Sequence, residues 1–314
     1  MICRGRPARR SACTDRADAL ELYVALLIEP FSTRGVSLER LDVLLDCANG
    51  AASVSAPRAF ARLGARVTAI NHEPDGYNIN ASCGSMHPGQ LQAAMRRARR
   101  QLGAAFDGDA DRCLLVDERG ELVDGDRILT ILALERQRRG ELAGATVVAT
   151  VMSNLGLEIK LKEHGVALVR TPVGDKHVFQ ALKNNRWVLG GEQSGHVILP
   201  IKGRLLGDGT YTALEVASLV ARGEQLSKLA AQMPSLPQEL INVTVARKPP
   251  LESVPGLSDR IRRWETRLRG QGRIVLRYSG TEALARVMVE GSDAALVHES
   301  AQDLADFLKG ALGS

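Results

Sequence analysis

Short apolar segments alternate with amphipathic ones through the first 121 residues, in the manner of buried strands and covering helices. The predicted elements are strand 41–45, helix 52–63, strand 65–70, helix 89–101, a strand ending at residue 107 and strand 113–117. This alternation predicts a parallel-dominated sheet covered by helices, which is the α/β class.

The alternation starts again after Gly125 and predicts a second domain of similar build. Its predicted elements are helix 126–139, strand 145–150, helix 155–164, strand 167–170, helix 176–184, strand 187–190 and helix 209–220.

Five prolines between residues 234 and 255 mark a boundary and a change of architecture. Beyond it the pattern predicts strand 240–245, helix 258–268, strands 273–277 and 285–290, and helix 293–312, a small α+β domain. We therefore divide the chain into a linker remnant (1–18), two α/β domains (19–121 and 122–236) and an α+β domain (237–314).

The composition, 45% hydrophobic and 25% charged over 314 residues, is that of a globular protein outside the membrane. No apolar run approaches a membrane span, and no signal-peptide core follows the basic first ten residues, so no membrane partner is expected. The five cysteines form no Cys-x-x-Cys pair. They argue against a disulfide framework and a zinc site, and they fit a reducing cytoplasm.

The net charge of +5 comes mainly from arginine and is densest at residues 96–100, at the end of a predicted helix, where cations are favourable. Only 4% of residues are aromatic, so platforms for stacking nucleic-acid bases are scarce and no nucleic-acid partner is expected. A basic surface also suits small anionic substrates.

The segment Asp-Gly-Asp-Ala-Asp-Arg, residues 107–112 and here called the acidic loop, places three carboxylates between two apolar strands. Oxygen ligands at this density suit a hard cation, Mg²⁺ before Ca²⁺ or Mn²⁺. A calcium EF-hand loop begins similarly, but the apolar strand that follows Arg112 argues against it. A surface turn of solvated aspartates is the remaining alternative.

Two further segments carry candidate chemistry. The glycine loop, Gly190–His196, offers Glu192, Ser194 and His196, which suit sugar hydroxyls, although a polar hairpin explains the pattern equally well. The segment Arg277–Glu282, with Arg286 beyond it, combines hydroxyls and guanidinium groups at a turn. It predicts an anion site, with an ordinary Ser-Gly turn as the alternative.

Two segments, Asp124-Gly-Asp126 and Gly207-Asp-Gly209, are most simply helix N-caps. A third, Gly174-Asp-Lys176, could be a cap too. In the last of them Lys176 is also a candidate to point toward a phosphate.

In their order and spacing, the acidic loop, residues 191–196 and residues 277–282 resemble the α-D-phosphohexomutase superfamily. Three further segments resemble, more narrowly, the bacterial phosphoglucosamine mutases: Asp46–Gly50, Glu73–Asn80 and Met152–Gly156. The resemblance extends from about Asp15 to the end of the chain. It implies two phosphohexomutase-type α/β domains with mixed sheets covered by helices, then a small α+β domain, with one loop from each domain lining a cleft.

The resemblance also implies an activity, the interconversion of glucosamine 6-phosphate and glucosamine 1-phosphate through a phosphoserine and Mg²⁺. By this resemblance Asp107, Asp109 and Asp111 would bind Mg²⁺, and Arg112 would contact the phosphate in catalysis. Glu192 and Ser194, with His196 nearby, would contact the sugar. The second phosphate would be bound by Arg277, Ser279, Thr281 and Arg286. The expected substrate is a hexosamine phosphate on the way to cell-wall precursors.

One departure affects catalysis. The family's phosphoserine lies in a first domain, in a Ser-His-Asn-Pro segment, and this sequence contains no Ser-His-Asn. We therefore expect a truncated mutase, inactive alone or completed by a missing N-terminal domain or a second chain. The alternatives are a non-catalytic sugar-phosphate and metal-binding protein, and a phosphatase that uses Asp107 itself.

Smaller departures are Ala110, where the family often has glycine, and Ala283, where it usually has proline. We expect Ala110 to be harmless as long as its φ stays negative.

Overall fold

The computed structural model describes residues 18–268, 270–280 and 282–313. Nearly all of the predicted linker remnant, and Thr281, lie outside the described residues. Three sheets follow one another along the chain.

The first sheet contains five strands in the order β2-β1-β3-β4-β5. Its elements are α1 (Ala19–Thr33), β1 (Asp42–Asp46), α2 (Ala52–Arg62), β2 (Arg66–Ile70), α3 (Gly89–Ala98), β3 (Leu102–Phe106), β4 (Cys113–Val116) and β5 (Leu122–Val123), with a 3₁₀ turn at Gly84–Met86. Strand β1 runs parallel to β2 and β3, whereas β4 is antiparallel to both of its neighbours. The sheet is therefore mixed.

The second sheet repeats this plan in the order β10-β9-β8-β6-β7. Its elements are α4 (Gly125–Arg138), β6 (Thr146–Thr150), α5 (Leu155–Glu163), β7 (Ala167–Thr171), α6 (Asp175–Asn185), β8 (Gly190–Gly191), β9 (Val197–Ile201), β10 (Arg204–Gly207), α7 (Gly209–Val220) and α8 (Leu226–Ala230). Strand β6 is parallel to β7 and β8, and the remaining pairs are antiparallel.

The third sheet is antiparallel, with β13 in its centre and the order β11-β13-β12. Its elements are β11 (Gln238–Thr244), α9 (Leu257–Arg267), β12 (Gly272–Tyr278), β13 (Leu284–Gly291) and α10 (Ala294–Leu312). Residues from α9 and α10 complete the apolar core on one face of this sheet. The predicted α/β fold with a small α+β end is confirmed.

Helix α7 lies between the first two sheets, and every one of its twelve residues is buried. It contacts β3 and β4 of the first sheet and β9 of the second. The main apolar cluster consequently runs through both units, whereas the third sheet has a core of its own.

Two local predictions need correction. Within the predicted strand 187–190 only Gly190 belongs to a strand, together with Gly191, and residues 187–189 connect it to the end of α6. Helix α3 ends at Ala98, not at residue 101, because Arg99 adopts the left-handed conformation that stops a helix. Helix α1 was not predicted at all.

None of the described helices is both long enough and apolar enough to cross a membrane.

Candidate functional site

The acidic loop connects β3 to β4 and brings its three carboxylates together. One oxygen each from Asp107, Asp109 and Asp111 lies within 4.8 Å of the other two. Asp107 is buried, Asp109 is exposed and Asp111 is half-buried. The backbone N–H of Arg112 donates to Oδ1 of Asp107 at 3.1 Å, which closes the turn.

Burial, helped by the charges of Asp111 and Asp109 and opposed by the hydrogen bond from the N–H of Arg112, raises the pKa of Asp107 to about 6. The Arg112 guanidinium relieves little of this repulsion, since its Nε lies 3.9 Å from Oδ2 of Asp107. A divalent cation among three carboxylates would neutralise it, so the donor set fits Mg²⁺.

Two helix N-termini hold the backbone of the acidic loop. The N–H of Ala51, before α2, donates to the carbonyl of Gly108 at 2.8 Å, and the N–H of Gly209, the first residue of α7, donates to the carbonyl of Ala110 at 2.9 Å. A Cβ at Gly209 would overlap the carbonyl of Arg112, so the helix approaches closely only because this residue is glycine.

The backbone of Ala110 does not have the negative φ on which its harmlessness was expected to depend. Its φ is 62°, in the left-handed region, and not negative. Its side chain is buried beneath the loop. The alanine therefore adopts a conformation that favours glycine, at a cost of about 1–2 kcal/mol.

The glycine loop joins β8 to β9 and lies against the acidic loop. The carbonyl of Gly195 accepts from the N–H of Cys113 at 3.0 Å, and Arg112 pairs with His196 in an isolated antiparallel bridge. His196 is buried, with Nδ1 3.1 Å from Oδ2 of Asp111. His196 therefore orients a carboxylate of the acidic loop, a role that its sequence position did not reveal.

The other two polar side chains of the glycine loop are more accessible. Ser194 is exposed, and Glu192 is half-buried and accepts from the N–H of Gly174 at 3.0 Å. Lys176, in the first turn of α6, is exposed. Glu192 and Ser194 remain open to hydroxyl groups of a ligand.

Arg277 of β12 and Arg286 of β13 are register partners, so their side chains leave the same face of the third sheet. With Ser279 they form what we call the arginine cradle. In both arginines Nε is buried and has no hydrogen-bond partner among the described residues. Burial, and then the charge of Arg286, lower the pKa of Arg277, while the charge of Glu192 opposes this. Two adjacent guanidinium groups with unsatisfied donors suit a phosphate.

Two residues that were given no individual role from the sequence support the cradle. Glu282 accepts from Nη2 of Arg286 at 2.8 Å and from Oγ of Ser279 at 3.2 Å. Lys248 donates from Nζ to the carbonyl of Ser279 at 2.6 Å. Glu282 belongs to the segment already recognised in the sequence, whereas Lys248 lies on a distant loop and no local pattern points to it.

The glycine loop contacts both of its neighbours, the acidic loop through His196 and the third sheet through Gln193, whose Nε2 donates to Oε1 of Gln238 in β11 at 3.4 Å. The electrostatic coupling between Glu192 and Arg277 also links the glycine loop to the arginine cradle.

Sequence models of phosphoglucomutase/phosphomannomutase match most of the chain. Alpha/beta/alpha domain II matches residues 21–120, alpha/beta/alpha domain III matches 124–236 and the C-terminal domain matches 240–307. No model of the family's first domain matches.

Curated relatives named phosphoglucosamine mutase are similar over most of this chain. The protein of Symbiobacterium thermophilum is 48% identical over 293 residues, which are 93% of this chain and 64% of the relative. That of Rhodococcus opacus is 49% identical over 298 residues, which are 95% of this chain and 65% of the relative. The chain thus spans slightly less than two-thirds of these relatives.

Among solved structures, the N-acetylphosphoglucosamine mutase of Aspergillus fumigatus, in complex with GlcNAc-6P and magnesium, is similar with a TM-score of 0.77 at 25% identity. The match covers 91% of this chain and 69% of the fungal one. A phosphoglucomutase/phosphomannomutase family protein of Burkholderia thailandensis shares the fold, with a TM-score of 0.75 at 24% identity over 93% of this chain and 64% of its own. With the three domain matches and the relatives at nearly half identity, the chain belongs to the phosphoglucomutase/phosphomannomutase family, the α-D-phosphohexomutases.

Proposed function

We propose that this chain carries the metal-, sugar- and phosphate-binding part of a phosphoglucosamine mutase, acting on glucosamine 6-phosphate and glucosamine 1-phosphate. The observation that carries the proposal is that the glycine loop contacts both the acidic loop and the sheet that carries the arginine cradle, so that a sugar on the glycine loop would present one phosphate to each side. The names of the curated relatives support this choice of substrate class.

In this scheme Asp107, Asp109 and Asp111 would hold Mg²⁺, which when bound neutralises charge on the phosphoryl group being transferred. His196 holds Asp111 in position through its Nδ1. Arg112 lies beside the carboxylates and would contact the same phosphate.

The glycine loop and the cradle orient the substrate. Glu192 and Ser194 would receive sugar hydroxyls, and Arg277, Ser279 and Arg286 would hold the phosphate that is not reacting. Thr281, outside the described residues, would assist them by its place in the motif. A phosphatase would use the acidic loop but would leave the cradle without a role, so we do not favour it.

The phosphoryl donor of this scheme is a phosphoserine, and none of the 314 residues belongs to a Ser-His-Asn segment. We therefore propose that these residues bind and orient the substrate, and that turnover requires a serine outside them. The described cysteines, at positions 47, 83 and 113, are free and buried, which supports a reducing cytoplasm as the compartment.

The test has two parts. Calorimetric titration with glucosamine 6-phosphate and Mg²⁺ should show binding that is weakened in Asp109→Asn, lost in Arg286→Met and kept in Glu299→Gln, a surface control. No binding by the unchanged chain would refute the proposal. A mutase assay primed with glucose 1,6-bisphosphate should show no turnover by these residues alone, and efficient turnover would refute the need for an outside serine.

A further inference from the structure

A fully buried carboxylate, Glu290, lies at the junction between the second and third sheets, away from the three loops. Its Oε2 accepts from the backbone N–H of Leu155, the first residue of α5, at 2.9 Å. Its Oε1 accepts from Nε of Arg273 at 2.7 Å. The carboxylate thus joins its own sheet to a helix of the second unit, 135 residues away in sequence.

The neighbours of Glu290 reinforce this junction. Nη2 of Arg273 donates to the carbonyl of Ser153 at 2.9 Å, and Nε2 of Gln238 donates to the carbonyl of Met152 at 3.0 Å. Both acceptors belong to the turn between β6 and α5. A buried carboxylate with this many donors, one of them a guanidinium, has its charge compensated in a single orientation.

The strand register relates this junction to the arginine cradle. Gln238, Glu290 and Arg273 form one row across the three strands, and Asn242, Arg286 and Arg277 form another. The rows are four residues apart on β13, so their side chains leave the same face about 13 Å apart. One end of this face is fixed at the junction, and the other end carries the cradle.

The glycine loop is tied to the same turn from the opposite side. The N–H of Gly125 donates to the carbonyl of Gln193 at 3.0 Å, and the next residue, Asp126, accepts from the N–H of Asn154 at 2.8 Å. Adjacent backbone amides at the start of α5 thus hold Asp126, behind the glycine loop, and Glu290, behind the cradle.

We propose that Glu290 is a positioning residue, which sets the distance between the arginine cradle and the glycine loop by fixing the third sheet on the start of α5. The inference rests on the proposed function, in which one sugar phosphate touches both loops. Inorganic phosphate needs the cradle alone, and the cradle lies entirely within the third unit.

The test compares these two ligands by calorimetry without Mg²⁺. In Glu290→Gln we expect the affinity for glucosamine 6-phosphate to fall about tenfold, because the two loops are no longer held at one distance. The affinity for inorganic phosphate should change less than about twofold. Glu299→Gln, which breaks an exposed pair within the third unit, should change neither. Equal losses for both ligands, or no loss for either, would overturn the proposal.

The double variant Glu290→Gln with Arg273→Gln guards against misfolding, because it leaves no unpaired buried charge. This double variant should also bind glucosamine 6-phosphate more weakly while its affinity for inorganic phosphate stays nearly unchanged. A double variant that binds glucosamine 6-phosphate as tightly as the unchanged chain would refute the positioning role.

A measurement without ligand separates this inference from the proposed function. Spin labels at exposed positions 184 and 265, on α6 and α9, report the distance between the second and third units once Cys3 and Cys13 are replaced by serine. Glu290→Gln should broaden or shift the distance distribution, and an unchanged distribution counts against the inference. A shifted distribution in a protein that never binds sugar phosphate would support the positioning role and refute the proposed function alone.

Discussion

At the scale of the residue, single side chains of this protein are held in states that an isolated peptide would avoid. Ala110 has a positive φ, and Asp126 is a fully buried carboxylate whose Oδ1 has no hydrogen-bond partner among the described residues. The free-energy cost of each state arises at a single residue, so each can be tested by a conservative substitution.

Ala110→Gly should stabilise the protein by about 0.5–1 kcal/mol. Glycine removes the left-handed strain of about 1–2 kcal/mol, and its greater freedom in the unfolded chain offsets part of this gain. Urea unfolding measures the difference. The opposite change, Gly140→Ala, places a Cβ in open space at a φ of 70° and should cost about 1 kcal/mol. A destabilised Ala110→Gly would show that the alanine side chain, not the backbone, matters here.

Asp126 should make stability fall as the pH rises. Burial, helped by the charge of Asp124, raises the pKa of Asp126 to about 7, from about 4 in an unfolded chain. Between these pH values the folded protein binds more protons at Asp126 than the unfolded chain does. The contribution of Asp126 to stability is therefore fully present below about pH 4 and is lost as the pH rises through about 7.

In Asp126→Asn this contribution is absent. At pH 8 the variant should therefore be more stable than the unchanged protein, by on the order of 2 kcal/mol, with little difference near pH 4. Asp259→Asn, at an exposed position, should follow the unchanged protein throughout. Parallel pH profiles of unfolding free energy for Asp126→Asn and the unchanged protein would contradict this assignment.

At the scale of the element, helix α7 supports the acidic loop through its N-terminus. Asp208 caps the helix by accepting from the N–H of Tyr211 at 2.8 Å, and it also accepts from the hydroxyl of Tyr23 in α1 at 2.7 Å. The next residue, Gly209, holds the carbonyl of Ala110. A change in the cap should therefore reach the carboxylates.

We expect Asp208→Ala to lower the free energy of unfolding by about 1–2 kcal/mol, the usual cost of a lost cap, and to weaken Mg²⁺ binding severalfold. Asp293→Ala removes a comparable cap from α10, far from the loop, and should cost similar stability without affecting Mg²⁺. Calorimetric Mg²⁺ titration distinguishes the two. Equal Mg²⁺ affinities in both variants would exclude a supporting role for α7.

At the scale of the whole molecule, the apolar core has two parts. One cluster extends through the first two sheets by way of α7, and a second fills the third unit. The junction around Glu290 is polar, so it couples the two parts without merging their cores.

Calorimetric unfolding should therefore show two transitions, a large one for the first two units and a smaller one for the third. Leu115→Ala and Leu304→Ala remove equally buried side chains from the two clusters, at about 2–5 kcal/mol each. Each should lower the midpoint of its own transition far more than that of the other. A single transition that both variants shift equally would mean that the molecule unfolds as one unit.

The sequence by itself determined the class and order of most elements, because hydrophobic periodicity is a local property of each segment. It also indicated the chemistry of the acidic loop, since three aspartates within five residues supply the oxygen ligands that suit a hard cation, although their convergence depends on the turn that the loop adopts. The anion-binding chemistry of the arginine cradle was predictable in the same way, because its residues lie on two adjoining strands and the turn between them. Helix α1 was missed because apolar residues lie on most of its sides and blur the period.

Only the tertiary structure decided how these parts meet. The contacts of His196 with Asp111 and of Glu290 with Leu155 join residues far apart in sequence. The carbonyls of the acidic loop are likewise held by the N-termini of two helices, one before the loop in sequence and one after it. The same packing imposes the positive φ of Ala110, which no local propensity predicts. Chain folding brings these groups together, and their geometry depends on the close packing of whole helices and sheets.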